Sequence, residues 1–419
     1  MDELLRTPIF NHMMSRNRFE DLLLGLHFVD NLDQKISRAS RFWKLGKIWN
    51  AIMQKFKHLV TPGEFLSIDE SLLKFKGKLS FRQYMPFKRA RFGVKFFGIC
   101  DNATKILLNY VPYQGKHSFI GSNEDKKELG VGGAVVMHLS QDYTHCFRKI
   151  CMDNWFSSPL LAEKLLKCNT FCLSTAKKGR KYMPSMKTKL ASGQVETFSA
   201  NNILVQRWKD KRDVVMLNTF LSHEMIPVTT ANPACNRDKP STVLCYNKNM
   251  GGIDQVDRKV KTYESQRKST KWYKKVFFHL VDLCVYNSYM VWKILHPGSV
   301  LTYKQYILAI IKKIFQEFPP DATTKGKPPT NPQLRKIGNH FPNPNIKNGK
   351  SGYSNCHLCK LESKRVQTKF KCTVCNVFLC INTNPSCFQR YHTISTLPKP
   401  KPLRPVNQSS EPLSLSLLP

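Results

Sequence analysis

Apolar residues recur every three or four positions through the first sixty residues, which predicts two helices. Ser15 is a suitable N-cap for the first helix, and a second amphipathic stretch covers 38–59, where Thr61-Pro62-Gly63 ends it. The residues that share the apolar face of the first helix are Phe19, Leu22, Leu23 and Leu26. Each predicted helix therefore has one face to bury against a partner.

From residue 65 apolar and polar positions alternate, and this period of two is typical of β-strands. The predicted strands cover 65–71, 79–85, 92–100, 106–112 and 147–152. A helix is predicted at 132–139, and Ser158-Pro159 supplies the N-cap and first residue of another helix over 160–167. This order favours an α/β sheet whose carboxylates meet at one edge, as in the ribonuclease H-like fold.

The pattern changes near residue 171. A basic loop at 177–181 precedes short predicted strands at 195–198, 203–208 and 214–219, and a polar loop covers 229–239. We interpret 177–240 as a β-rich insertion that is separable from the sheet. After Gly251-Gly252 the apolar spacing becomes helical again, with long helices predicted at 270–295 and 302–318.

Acidic residues occupy unusual places in this pattern. Asp69 lies within a strand, Asp153 ends the strand at 147–152, and Asp254 and Asp257 follow the turn at Gly251-Gly252. An unpaired buried carboxylate is costly, and Asp254 and Asp257 would share one face of a helix. Taken singly, these residues are explained as turn caps or as acidic residues at a helix N-terminus. Together they predict a metal site assembled from distant segments, because two-metal phosphoryl chemistry needs several carboxylates.

The net charge of the chain indicates which class of binding partner to expect. The chain has 66 Lys and Arg against 29 Asp and Glu, a formal charge of +37, which favours a polyanion: nucleic acid first and an anionic membrane surface second. The longest apolar stretch, 276–292, contains polar residues that argue against a membrane span. The first residues, Met-Asp-Glu-Leu-Leu, do not resemble a signal peptide. We therefore expect a soluble nuclear or cytosolic protein, without membrane contact, that binds DNA or RNA.

Basic residues cluster on both sides of the acidic positions. Those predicted to contact DNA phosphates are Lys76, Arg82, Lys88, Arg89 and Arg91 in the first cluster, and Arg258, Lys259, Lys271, Lys274 and Lys275 in the second. The simpler explanation for any one of them is a solvated surface charge. Their closeness in sequence to the carboxylates favours phosphate contacts.

Cysteines indicate a second chemistry near the C-terminus. Six of the fourteen cysteines lie between positions 356 and 387, and two pairs have the C-x2-C spacing of structural zinc sites. The predicted Zn²⁺ ligands are Cys356, Cys359, Cys372, Cys375, Cys380, Cys387 and His392. Such a short segment needs metal to fold, whereas free core cysteines are the alternative. The preceding stretch, 319–354, is predicted to be a flexible linker, and 394–419 a disordered tail.

Three groups of residues, taken in order, resemble the motifs of the piggyBac transposase family. They are Ser67-Ile68-Asp69-Glu70 with Phe75-Lys76-Gly77, then Cys151-Met152-Asp153-Asn154-Trp155-Phe156, and Gly251-Gly252-Ile253-Asp254 with Asp257. The resemblance implies a ribonuclease H-like catalytic domain of the DDE/D type that binds Mg²⁺ or Mn²⁺. Asp69, Asp153 and Asp254 match the catalytic triad, and Asp257 matches a further acidic residue that binds the metal. The implied reaction is hydrolysis at a transposon 3′ end, hairpin formation by the new 3′ hydroxyl, and joining at TTAA in double-stranded DNA.

The resemblance also implies a domain organisation. The core would consist of 64–176 and 241–262, interrupted by the insertion at 177–240. Residues 1–63 and 263–318 would form a split helical domain for homodimerisation and DNA binding, and 355–393 a zinc module that recognises transposon ends. In the family that module interleaves eight ligands around two zinc ions, and here seven donors are evident, since His357 is too close to Cys356 and His340 is distant.

This chain begins inside the N-terminal half of the family's split domain, so we expect weaker dimer formation or end binding. Two function classes follow. The first is a metal-dependent DNA transposase acting in the nucleus. The second is a domesticated, transposase-derived DNA-binding protein that no longer moves DNA.

Overall fold

The structure, a computed structural model, describes residues 13–33, 38–86, 88, 90–115, 120–229, 237–265, 269–318, 340–347, 350–394 and 397–398. The chain divides into two compact units. The larger is Arg16–Glu317, and the smaller contains Met1–Ser15 and Phe318–Pro419.

A nine-stranded sheet forms the centre of the larger unit. Its strands are β1 (Phe65–Lys74), β2 (Gln83–Tyr84), β3 (Phe92–Asp101), β4 (Leu107–Pro112), β5 (Lys149–Met152), β6 (Phe171–Thr175), β7 (Val195–Ala200), β8 (Ile203–Lys209) and β9 (Asp213–Asn218). The strand order is β2-β3-β1-β5-β6-β9-β8-β7, and β4 also pairs with β3. β1 is antiparallel to β3 and parallel to β5, which is parallel to β6. The predicted strands are confirmed, although the one expected at 79–85 is only two residues long.

The predicted separation of the insertion from the sheet is wrong. β9 pairs antiparallel with β6, so β7, β8 and β9 continue the main sheet. Without them β6 would leave a row of backbone groups unpaired at the sheet edge. Trp208 and Met216 also pack with Leu173 of β6 in one buried cluster. Only β10 (Met225–Val228) and β11 (Arg237–Pro240) form a separate two-stranded sheet within the described part of the insertion.

Eight helices of the larger unit accompany the sheet within the described residues. They are α1 (Arg16–Gly25), α2 (Gly46–Lys57), α3 (Asn123–Ser140), α4 (Pro159–Lys167), α5 (Ser241–Asn249), α6 (Gly252–Thr262), α7 (Trp272–Leu295) and α8 (Tyr303–Glu317). The Ser158 hydroxyl accepts a hydrogen bond from Leu161 N–H, which confirms the predicted N-cap of α4. The helix expected at 132–139 is the second half of α3, which is broken at Gly130 with φ of 73°.

The two N-terminal helices differ from the sequence expectation. The amphipathic stretch at 38–59 becomes a 3₁₀ turn at Trp43–Leu45 followed by α2, which buries Trp49, Met53 and Phe56. In contrast, α1 buries none of its residues, and Phe19 is exposed. An apolar face predicted from spacing is therefore packed in α2 and open in α1.

Hydrophobic clusters cover both faces of the sheet because alternate strand residues point to opposite faces. Phe96 and Cys100 of β3 pack in one cluster with residues of α2, α6 and α7. Phe97 and Ile99 pack in the other cluster with residues of α3 and α4. None of the helices in the described ranges has the length and hydropathy needed to cross a membrane.

The smaller unit is built from short elements. These are β12 (Pro342–Pro344), β13 (Ile346–Lys347), β14 (Lys350–Ser351), β15 (Ser354–Asn355), α9 (His357–Leu361), β16 (Gln367–Thr368), β17 (Phe370–Cys372) and α10 (Cys387–Thr393). β12 pairs with β17 and β15 with β16, so the predicted linker is structured in the described residues of its last part, 340–347 and 350–354. Residues 319–339 of that linker, and all of the predicted tail except 394, 397 and 398, lie outside the described residues.

Candidate active site and metal centres

Strand pairing brings Asp69 and Asp153 together. β1 and β5 run parallel, and Ile68 lies opposite Met152 in their register. Asp69 and Asp153 each follow one of these paired residues. Asp69 Oδ1 accepts a hydrogen bond of 2.7 Å from the next backbone N–H, and Asp153 Oδ1 accepts one of 2.8 Å from Trp155 N–H. The parallel pair therefore places two carboxylates at one end of β5.

A close approach of α6 to the sheet adds the other two aspartates. A Cβ at Gly252 would lie 2.2 Å from Ser67 Oγ, so this helix start reaches β1 only because the residue is glycine. Asp254 lies in the first turn of α6. One turn later, Asp257 Oδ1 accepts a hydrogen bond of 2.7 Å from Ser71 Oγ of β1. The four predicted carboxylates thus come from β1, the end of β5 and α6.

The carboxylates influence each other's ionisation. Burial is the main cause that raises the pKa of Asp69 to about 7, and the charges of Asp254 and Asp153 raise it further, against an opposing effect of Lys88. Burial also raises the pKa of Asp153, and it raises the pKa of Asp257 to about 6. Asp69 therefore lies within electrostatic range of both Asp153 and Asp254. Such clustered carboxylates are typical of sites that hold a cation.

A buried ion pair lies beside this cluster and was not predicted from the sequence. Lys95 Nζ is 2.7 Å from Glu70 Oε2, and both side chains are largely buried. The ammonium also lies 4.6 Å from the centroid of the Trp155 ring. Glu70 raises the pKa of Asp153 and Lys95 lowers it, after the larger effect of burial. Lys95 therefore offsets the charge of a further carboxylate, Glu70, next to the four aspartates.

The donor set of the carboxylate cluster fits hard divalent cations, which take oxygen ligands. Among the described residues, the groups of three or more ligands whose donor atoms all lie within 4.8 Å of one another are two sets of cysteines and histidines. No set of three of the described aspartates is among them, so these carboxylates are less closely grouped than the cysteine and histidine donors.

Some of the side chains predicted to contact DNA are exposed, and others are half-buried or hydrogen-bonded within the protein. Lys76, Arg82, Arg91, Arg258, Lys259 and Lys271 are exposed, whereas Arg89 lies outside the described residues. Lys88 is half-buried, and its charge lowers the pKa of Asp69 and of Asp257 against the larger effect of burial. Lys274 Nζ instead donates to the backbone carbonyls of Leu23 and Leu24. Burial lowers the pKa of Lys275.

Four cysteines of the smaller unit form one candidate metal centre. Their donor atoms lie within 4.8 Å of one another, and the residues are Cys356, Cys359, Cys380 and Cys387. Cys359 Sγ is 3.8 Å from Cys380 Sγ and 3.5 Å from Cys387 Sγ. Zn–S bonds of about 2.3 Å in a tetrahedron place sulfur atoms roughly 3.8 Å apart. The geometry fits a zinc site made of four thiolates.

The second centre contains a ligand that the sequence interpretation missed. Cys372, Cys375 and His392 are joined by His340, although it lies far from them in the sequence. His340 Nδ1 is 3.4 Å from both sulfur atoms, and His392 Nε2 is 3.4 and 3.5 Å from them. Bonds of about 2.3 Å to sulfur and 2.0–2.1 Å to nitrogen give an S···N separation of roughly 3.6 Å. The second set therefore also fits tetrahedral zinc.

The pairing of β12 with β17 explains why His340 reaches this centre. Pro342 lies opposite Cys372 in the register, so the chain just before β12 runs beside the C-x2-C turn. His392 Nδ1 lies 2.7 Å from Phe388 O, which turns its Nε2 toward the sulfur atoms. The eight donors therefore form two interleaved sets of four: one of four cysteines, and one of two cysteines with two histidines. Seven donors evident from spacing were one short of two complete sites, and this shortfall was the sequence signal for an eighth.

A family profile described as Transposase IS4 matches residues 1–289, well over half of the chain. The chain belongs to the piggyBac transposase family. Its similarity to human PiggyBac transposable element-derived protein 3 is 25% identity over 415 residues, covering 93% of this chain and 65% of that protein. Human PiggyBac transposable element-derived protein 2 is 23% identical over 331 residues, covering 74% of this chain and 54% of the relative.

A solved structure supports the same relationship. The structure of a piggyBac transposase synaptic complex with hairpin DNA matches with a TM-score of 0.66 and 25% identity, covering 75% of this chain and 65% of that one. The chain thus spans about two thirds or less of the length of these relatives. The mixed α/β fold resembles that of a piggyBac transposase.

Proposed function

We propose that this protein is a metal-dependent DNA transposase of the DDE/D type that cleaves transposon ends and joins them at TTAA. The observation that carries the proposal is the convergence of Asp69, Asp153 and Asp254 from β1, β5 and α6. Asp257 completes the set through its hydrogen bond with β1. The similar transposase was solved with hairpin DNA, which agrees with a reaction through a DNA hairpin.

The proposed catalytic domain has the ribonuclease H-like fold. Strands β4, β3 and β1 are antiparallel neighbours, followed by the parallel strands β5 and β6. In this arrangement the first strand is central and carries Asp69, and its parallel neighbour ends next to Asp153. We propose 64–176 and 241–262 as this domain, with 177–240 as its insertion, and 1–63 with 263–318 as a helical domain for homodimerisation and DNA binding.

The aspartates of this chain would hold the cations. Asp69, Asp153, Asp254 and Asp257 are the ligands for Mg²⁺ or Mn²⁺, which when bound supplies a Lewis acid and lowers the pKa of water. The sheet and α6 position these side chains before DNA arrives, because β1 is paired on both sides. Cationic side chains beside the cluster, such as Lys88, would place a phosphodiester next to it.

The smaller unit is proposed to bind two Zn²⁺ ions and contact transposon-end DNA. Both donor sets fit tetrahedral zinc, and a module this small is stabilised mainly by its metals. A chain with a formal charge of +37 is suited to a polyanion, and we propose that it acts in the nucleus as a homodimer on double-stranded DNA.

The test uses purified full-length protein, Mg²⁺, and DNA carrying the inverted repeats that flank related elements in the source genome. Nicking at the repeat end by the wild-type protein, and no nicking by Asp153→Asn, would support catalysis. A Lys167→Gln variant is a suitable control, since that exposed lysine pairs only with Glu163 on its own helix among the ion pairs of the described residues. Binding of end DNA without any nick, equal in wild type and Asp153→Asn, would instead favour a domesticated DNA-binding protein.

A further inference from the structure

Two exposed aromatic rings lie side by side at the edge of the sheet. Tyr84 of β2 is paired with Phe92 of β3, and their ring centroids are 4.8 Å apart. Tyr84 is 56% exposed and Phe92 is 39% exposed, so neither belongs to the buried core. Single exposed aromatic residues are common on protein surfaces, whereas a neighbouring pair offers an apolar face large enough for a planar ligand.

A cationic pocket adjoins this pair. We call it the edge pocket; it has a volume of about 520 Å³ and is lined by Lys74, Lys76, Arg82, Ala90, Arg91 and Phe92. No carboxylate is among these lining residues, all of which the structure describes. The Arg82 guanidinium lies 5.1 Å from the centroid of the Phe92 ring. Four cations around an aromatic ring favour a ligand that has both negative charge and a planar group.

The edge pocket is held in shape by backbone contacts. Arg82 Nη1 donates to the carbonyl oxygens of Lys76 and Gly77 at 2.9 and 3.1 Å. Phe75 N–H donates to Phe92 O at 3.1 Å, which ties the end of β1 to β3. A Cβ at Gly93 would lie 2.2 Å from a backbone oxygen of β1, so these two strands approach unusually closely. The Phe92 backbone and the Arg82 guanidinium are therefore positioned without a ligand.

We propose that the edge pocket binds an unpaired nucleotide of DNA, with its base stacked on the Tyr84–Phe92 pair and its phosphate among the surrounding cations. Aromatic side chains beside a positive groove are the usual way in which proteins hold single-stranded nucleic acid. The inference rests on the proposed function, which supplies the DNA. Asp69 and Lys74 are five residues apart on β1, so the edge pocket lies about 17 Å from the carboxylates along the strand.

The position of the edge pocket relative to the carboxylates suggests what a bound nucleotide would do there. Lys88 lies between β2 and β3 in the chain, and its Nζ is 3.5 Å from the backbone oxygen of Glu70, the residue that follows Asp69 on β1. A nucleotide held at the edge pocket would keep a locally unpaired strand in place beside the cleavage site.

Equilibrium binding of the full chain to two fluorescent probes tests this inference. The probes are an oligodeoxythymidine of about 20 nucleotides and a duplex of about 20 base pairs, both at roughly physiological salt. Tyr84→Ala should weaken binding of the single strand about 10-fold, because loss of one base–aromatic stack has roughly this effect. Its affinity for the duplex should change less than about twofold, and Tyr84→Phe should bind both probes like the wild type.

Two further variants separate stacking from charge and from general surface effects. Arg82→Gln should weaken binding of both probes and reduce the salt dependence, because it removes a phosphate contact. Tyr182→Ala is the matched control: this tyrosine is 60% exposed and has Lys181 over its ring, but it is neither part of the Tyr84–Phe92 pair nor a lining residue of the edge pocket. It should leave both affinities unchanged.

The outcomes distinguish the two proposals. Equal loss of single-strand and duplex affinity in Tyr84→Ala, or no loss in either, would overturn the edge pocket while leaving DNA binding intact. Failure of the wild-type protein to bind either probe would overturn the proposed function and the edge pocket with it. An unchanged thermal unfolding midpoint in Tyr84→Ala is expected, since the ring is mostly exposed, and would confirm that binding reports on the site.

Discussion

Replacement of Asp69 by asparagine should stabilise the protein when no Mg²⁺ or Mn²⁺ is present. In the folded chain the pKa of Asp69 is raised from 3.8 to about 7, chiefly by burial and also by the charges of Asp254 and Asp153. Each pKa unit corresponds to about 1.36 kcal/mol, so ionised Asp69 lowers the free energy of unfolding by about 4 kcal/mol above pH 7. Asparagine has similar shape and can still accept the hydrogen bond from the next N–H.

The sign of the pH dependence follows from the raised pKa. Between pH 3.8 and 7 the folded chain keeps a proton on Asp69 that the unfolded chain releases, so stability falls as the pH rises through this window. At about pH 4 the wild type and Asp69→Asn should differ by less than about 1 kcal/mol. At about pH 8 the variant should be more stable by about 3–4 kcal/mol.

Urea unfolding at several values between about pH 4 and pH 8 measures this difference. The buffer must contain neither Mg²⁺ nor a chelator, because a chelator would remove zinc from the smaller unit. Asp238→Asn is the control, since this carboxylate is exposed on β11 and should have no effect at any pH. Adding Mg²⁺ should then stabilise the wild type more than Asp69→Asn, because a ligand that binds the folded state raises its stability.

A variant that is no more stable than the wild type at the alkaline end of this range would refute the reasoning. A gain that is the same at every pH would also refute it, because it would show that packing rather than charge is responsible. Either result would mean that burial, together with the charges of Asp254 and Asp153, does not raise the pKa of Asp69 as the structure indicates.

Three further predictions concern the metal centres, the helix start beside the site and the buried core. His340→Ala should reduce bound zinc from about two ions to about one per chain by metal analysis, whereas His357→Ala should retain both. Gly252→Ala should lower the free energy of unfolding, measured by urea titration, by about 1–3 kcal/mol, because the added methyl would lie 2.2 Å from a side-chain oxygen of β1. Gly298→Ala is the control and should be neutral, because a Cβ at Gly298 would have no neighbouring atom within 4 Å. Burial lowers the pKa of His279 from 6.5 to about 4. The neutral imidazole therefore contributes fully to stability above pH 6.5, and the free energy of unfolding should fall by about 3 kcal/mol as the pH drops to 4. His279→Phe should remove this pH dependence, as measured by thermal unfolding.

Local structure was predictable where short-range physics decides it. The Ser158 N-cap of α4, the positions of strands β1, β3 and β4, and the common face of Asp254 and Asp257 on α6 agree with the sequence interpretation. A cap, a period of two and a period of 3.6 depend on neighbouring residues alone.

Long-range pairing was not predictable in the same way. The insertion was expected to be separable, but β9 completes the edge of β6, because an unpaired strand edge accepts any suitable strand. The helical spacing of α1 gave no information about whether a partner covers its apolar face. Such choices depend on which surfaces meet, and a single sequence does not record them.

The amino-acid sequence by itself determined the residue types of both sites: carboxylates after apolar strands, and cysteine pairs with zinc spacing. Only the tertiary structure decided which donors meet. Strand register places Asp69 beside Asp153, and the pairing of β12 with β17 brings His340 to Cys372 from 32 residues away. The physical reason is that ligand geometry is set by through-space distances of a few ångströms, whereas spacing in sequence limits those distances only within one turn or one helix.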